Sequence, residues 1–218
     1  MLYKKLQEIY DQSDCNKFFH RSLLINLNDL IVWSLKRNRR NLSPFKFANL
    51  SNIETREAIK FFMYFSSIPH GVFELEFFFE CTNHRCDKRI YLENSDLTKN
   101  SNVITCEECK KSYLVGEIRD FIKVYFRLKD DMVILASKSN VVEKQRTDPN
   151  STFDALTGMS DNLKPHSPSS LSNTNIRFDE GDADSSVDLN IIVDIDKHAT
   201  NPIFNEGLLA SVMEYMHD

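Results

Sequence analysis

Apolar positions along the chain change their period several times, and each change predicts an element. Leu2, Leu6, Ile9 and Tyr10 recur at helical spacing and predict an amphipathic helix over 2–12. Asp14 or Asn16 is placed to cap the next element. Residues 18–37 form the most helical stretch, with Leu23, Leu27, Leu30, Ile31 and Leu35 on a broad apolar face. It ends in the basic run Lys36-Arg37-Asn38-Arg39-Arg40, and cations suit the negative end of a helix dipole. Ser43 and Pro44 suit the cap and first turn of a short helix over 44–50. Ala58, Ile59, Phe62 and Phe65 predict a further helix over 54–67, broken by Pro69-His70-Gly71.

The period then shortens to two. Phe73, Leu75, Phe77 and Phe79 alternate with Glu74, Glu76, Phe78 and Glu80, which predicts a strand over 72–80 running directly into Cys81. Short strands are expected at 88–92 and 112–115, and a longer one at 121–128, where Ile122, Val124, Phe126 and Leu128 alternate with polar neighbours and Tyr125. Met132–Ala136 fits a strand or a helix. Residues 143–186 are rich in Ser, Asn, Asp, Pro and Thr and hold few large apolar side chains. Burial there does not offset the entropy of ordering, so a disordered linker is expected. Beyond it, Val187, Leu189, Ile191, Val193 and Ile195 alternate, apart from Ile192, and predict a strand. Residues 203–216 predict an amphipathic helix with Leu209, Val212, Met213 and Met216 on one face.

The predicted fold class is α+β. A winged helix-turn-helix is followed by a zinc ribbon, then by a disordered acidic linker and a short C-terminal strand and helix. The corresponding units are a helical winged-helix-like domain over 1–80, the ribbon and following strand over 81–139, the linker over 140–186 and the C-terminal pieces over 187–218. A chain of 218 residues, 41% of them hydrophobic and with sixteen Phe, can bury a sizeable core. No apolar run approaches the roughly 18–20 residues that span a bilayer. The first residues lack the apolar segment and cleavage site of a secretory signal, so a cytoplasmic location and no membrane partner are expected. Charge is uneven: residues 1–139 carry 22 Lys and Arg against 18 Asp and Glu, whereas residues 140–218 carry 5 against 14. Neither balance forces nucleic-acid binding.

Four of the five cysteines form two close pairs, Cys81-x4-Cys86 and Cys106-x2-Cys109, separated by the length of a hairpin. Each pair can form a turn that presents two thiolates to one tetrahedral ion, so one structural Zn2+ is expected, with all four positions filled and none left for water. His84 lies inside the longer first pair and is an alternative ligand. Cys15, far from any partner, is expected to be a small core residue. The histidines are scattered, the chain has only five Gly, and no phosphate loop, nucleophile elbow or metalloprotease motif occurs, so an enzyme is not expected. Asp182, Asp184, Asp188, Asp194 and Asp196 are read as a solvated acidic segment rather than a metal nuclease site.

Helix, short helix, helix, strand over residues 20–80 is the order of a winged helix-turn-helix. With Cys81, Cys86, Cys106 and Cys109 added, residues 20–128 resemble the alpha subunit of general transcription factor E and its archaeal counterpart. The first cysteine turn is longer here, and the third helix is poorer in basic residues. The chain also resembles the small accessory proteins of bacterial multi-gene anti-phage systems. They carry a helical winged unit, a ribbon and a strand like Phe121–Leu128, and couple a sensor ATPase to an effector. The resemblance implies a non-catalytic adaptor that docks on protein partners within a multi-subunit complex. The C-terminal strand and helix, 187–216, either dock on a partner, with Leu209, Val212, Met213 and Met216 as the candidate contacts, or pack back on the chain's own core. The competing expectation is a DNA-binding transcription factor of winged-helix and zinc-ribbon type, with Lys36, Arg37, Arg39 and Arg40 as candidate phosphate contacts.

Overall fold

The first apolar stripe forms a helix, α1 (Leu2–Gln12), that buries Leu2, Leu6, Ile9 and Tyr10. These come from a computed structural model that describes residues 1–66, 71–142 and 185–198. The helix expected over 18–37 starts only at Leu23, as α3 (Leu23–Lys36), and a separate one-turn α2 (Cys15–Phe18) precedes it. Phe19 between them is extended, and the Tyr10 hydroxyl donates to its carbonyl at 2.7 Å, which holds the chain out of the helical path. At the end of α3, Asn38 turns left-handed (φ 58°) and the Arg39 N–H returns to the Ser34 carbonyl. This closes the helix with its basic residues in the turn.

A two-residue strand, β1 (Asn41–Leu42), leads into α4 (Pro44–Ser51), whose cap Ser43 accepts the Lys46 N–H at 3.3 Å. Next comes α5 (Thr55–Tyr64), shorter than the 54–67 expected. Its second half is buried on almost every side. Phe61 lies 5.2 Å from Phe19 and 5.1 Å from Phe47, while Phe62 meets Phe73 at 5.1 Å and Phe126 at 5.4 Å between ring centroids. Rings offset or edge-on at such distances add to the burial of their large apolar area.

The strands follow as β2 (Phe73–Glu80), β3 (Arg89–Leu92), β4 (Val103–Thr105) and β5 (Ser112–Leu114), then the one-turn α6 (Val115–Ile118) and β6 (Lys123–Leu128). The main sheet has the order β1-β6-β2-β3 and is antiparallel throughout. β6 occupies its centre, pairing Phe73 to Phe78 with Leu128 to Lys123. The cysteine segment therefore leaves one central strand and returns to another. β4 and β5 form a small separate hairpin.

The ambiguous run Met132–Ala136 is helical, within α7 (Asp130–Val142), where Met132 and Ala136 are buried one turn apart and Asp130 and Asp131 sit in the first turn. Residues 140–142, expected to open the linker, end this helix.

The strand expected over Val187–Ile195 needs correction. Only β7 (Val187–Asp188) is extended, pairing with β6, and α8 (Leu189–Lys197) follows at once. Leu189, Ile192, Val193 and Asp196 recur at helical spacing and are buried against the core, so packing overrides the β-branched composition. The Arg56 guanidinium on α5 donates to Asp194 at 2.6 Å, and the Leu189 N–H bonds the Ile122 carbonyl at 3.0 Å. Among the described residues no helix is long and apolar enough to cross a membrane.

Candidate metal centre

Two turns at the ends of hairpins bring the four cysteines together. In the first, Cys81 closes β2 and its N–H bonds the Lys88 carbonyl at 2.9 Å. Asn83 shapes the turn inside: its side-chain oxygen accepts the Arg85 N–H and its carbonyl accepts the Cys86 N–H. In the second, the Cys106 N–H bonds the Lys111 carbonyl, the Lys110 N–H bonds the Cys106 carbonyl, and Lys110 is left-handed (φ 60°). The extra residues in the first turn are thus taken up by the asparagine turn.

All four sulfurs lie within 4.8 Å of one another. The Cys81–Cys109 separation is 3.5 Å and the Cys86–Cys106 separation is 3.7 Å. Four thiolates around one ion at a bond length near 2.3 Å would stand about 3.8 Å apart. The cluster therefore fits a metal ion, and none of its cysteines is disulfide-bonded. Cys81 and Cys106 are buried and Cys86 and Cys109 partly so. His84 is exposed in the first turn and outside the cluster.

Hydrogen bonding already polarises the sulfurs. The backbone N–H of Lys111 pulls the Cys109 thiol down to about 6, with Asn83 and the neighbouring sulfurs acting against burial. Cys86 also receives an N–H, from Lys88, but burial and three adjacent sulfurs push it up to about 12. The Tyr113 hydroxyl lies 2.9 Å from Cys81 Sγ and accepts the Thr82 N–H at 3.1 Å. Burial and the Cys81 sulfur raise the phenol further, so it keeps its proton at neutral pH. Sequence reasoning saw Tyr113 only as part of a strand. Nothing in its spacing points across to the other hairpin.

The remaining candidates are spread over the molecule. Cys15 is fully buried in the helical core, and burial drives its thiol pKa upward. Lys36, Arg37 and Arg40 are exposed at the end of α3 and Arg39 is half-buried. Arg37 stacks over Trp33 at 4.0 Å and Arg40 pairs with Asp130. The acidic segment is not uniformly solvated: Asp194 is half-exposed in its ion pair with Arg56, but Asp196 is buried. Leu209, Val212, Met213, Met216, Asp182, Asp184 and residues 143–184 of the expected linker lie outside the described residues. No protein family, characterised protein or solved structure gives a match to this chain.

Proposed function

We propose that the protein is a non-catalytic adaptor, built as a winged helix whose wing is expanded into a zinc ribbon, that docks on protein partners. The order α3, β1, α4, α5, β2, β6, with β6 between β1 and β2, supports the winged-helix reading. Four sulfurs at near-tetrahedral spacing, without oxygen or imidazole ligands, favour zinc, and a site filled by four thiolates has a structural rather than a chemical role.

One observation carries the adaptor reading over DNA binding. In a winged helix that reads DNA, the third helix presents a polar face to the major groove. Here that helix is α5, and Ala58, Ile59 and Phe61 to Tyr64 are buried. α8 lies across it with the Arg56–Asp194 pair at the seam. An aspartate-bearing helix over the reading position opposes phosphate. Coupling of a sensor to an effector in a bacterial defence complex is the narrower form of the proposal.

The test is affinity capture of the tagged full chain from its native host, beside a chain ending at residue 198. A stoichiometric protein partner supports the adaptor. Loss of that partner on truncation, with melting unchanged, assigns the docking to residues 199–218. Tight duplex binding that falls steeply with salt, and disappears when Arg37, Arg39 and Arg40 are neutralised, would sink the proposal in favour of the transcription-factor reading.

A further inference from the structure

We propose that Tyr113 is a positioning residue for the metal centre, its hydroxyl donating to the Cys81 thiolate and thereby setting the affinity of the site and the inertness of that sulfur. The inference rests on the four-cysteine metal reading and deepens it. The direction of the hydrogen bond follows from its neighbours. A backbone N–H can only donate, so the Thr82 N–H at 3.1 Å uses a lone pair of the phenol oxygen. A thiolate can only accept, so the phenol proton goes to Cys81 Sγ at 2.9 Å. The ring is held for this purpose: it stands edge-on to Phe79 at 5.1 Å, and the Lys111 ammonium lies 5.1 Å from its face. Lys111 in turn donates to the Thr82 hydroxyl at 2.9 Å, closing a loop between the two cysteine turns.

The chemical consequence is electronic. Four thiolates place more negative charge on a divalent ion than it neutralises, and donors to the sulfurs disperse the excess. Cys109 and Cys86 each receive a backbone N–H from their own turn, and Cys109 also a side-chain donor, Asn83, from the other turn. Cys81 receives one from a side chain on the opposite hairpin, so the same bond that tunes the sulfur also joins the two halves of the site. Without it the sulfur becomes a stronger electron donor and a better nucleophile.

Wild type, Tyr113→Phe and, as a control on a different hydroxyl, Tyr125→Phe would be loaded with Co2+ and titrated with a competing chelator. Tyr113→Phe is expected to bind about tenfold more weakly. Its sulfur-to-cobalt charge-transfer band should move to longer wavelength, and iodoacetamide should label its Cys81 faster. Tyr125→Phe should match wild type. Labelling is read by mass spectrometry on the metal-loaded fraction alone, so a partly folded variant still reports. An unmoved band, equal affinity and equal labelling in Tyr113→Phe, with wild type binding cobalt, would overturn this inference and leave the metal centre standing. A wild-type chain that takes up no cobalt would overturn both.

Discussion

The aromatic core and the cysteine excursion solve the same problem by opposite means. Around α5 the chain concentrates Phe19, Phe47, Phe61, Phe62, Phe73 and Phe126, each at most a tenth exposed, and stability is spread over many contacts of similar kind. Between Cys81 and Ile118 the buried side chains are few: Cys81, Leu92, Leu97, Cys106, Tyr113, Val115 and Ile118, while Val103 and Leu114 face solvent. Two small hairpins with so little apolar cover are marginal on their own. There the sulfur cluster takes the place of a core. One region should therefore lose stability gradually as side chains are cut back, and the other should fail at a single point.

The sharpest way to break this contrast is to remove the ion or a ligand. Purified protein is expected to hold about one zinc per chain, lost in Cys106→Ser. Hydrogen exchange should then show the β4–β5 amides open while α1, α3 and α5 remain protected, since binding free energy is folding free energy in such sites. If the helical amides open together with the hairpin, the two regions are one cooperative unit and the contrast fails. Second in size is Phe62→Ala, expected to cost about 3–5 kcal/mol in urea unfolding because it leaves a cavity among packed rings. Zinc content measured in the same preparation should stay unchanged. Ile192→Ala tests whether α8 belongs to the core: Ile192 is fully buried, and the loss should be roughly 2–4 kcal/mol. A change within experimental error would make α8 a loosely held cover.

The smallest effect concerns Asp194. The Arg56 guanidinium holds its carboxyl below the usual aspartate value, against the opposing effect of burial. A depressed folded-state value means that the contribution is present above the unfolded value and is lost as pH falls through the folded one. The pair is about half exposed, so solvent and salt reduce it to under about 0.5 kcal/mol. The stability difference between wild type and Asp194→Asn should be seen at pH 6 and should shrink as the pH falls below the usual aspartate range. A difference that grows on acidification would contradict the sign.

Much of the aromatic region was legible because period and punctuation agree there. Leu2, Leu6, Ile9 and Tyr10 share one helical face, Ser43-Pro44 starts α4, and β2 is announced by alternation. The sulfur cluster was legible for a different reason: two close pairs of thiols at turn spacing are the pattern of a tetrahedral metal site. What failed was α8. The alternating positions 187 to 195 satisfied the strand pattern, but Ile192 broke it, and that one residue marked the helical face. Its placement depends on α5, which is distant in sequence, so local preference could not decide it. Tyr113 was hidden similarly. Its contact with Cys81 exists only once two hairpins have docked, and residue spacing within either of them does not encode it.

The position of the excursion has a kinetic consequence. Phe78 and Lys123 are partners in the main sheet, yet the whole cysteine segment lies between them. Bringing them together closes a long loop, and loop closure delays folding more than it alters the final balance. An ion gathered early by the four thiolates would shorten that search, so refolding should run faster with zinc present. The metal would thus hasten the meeting of two strands that it never touches.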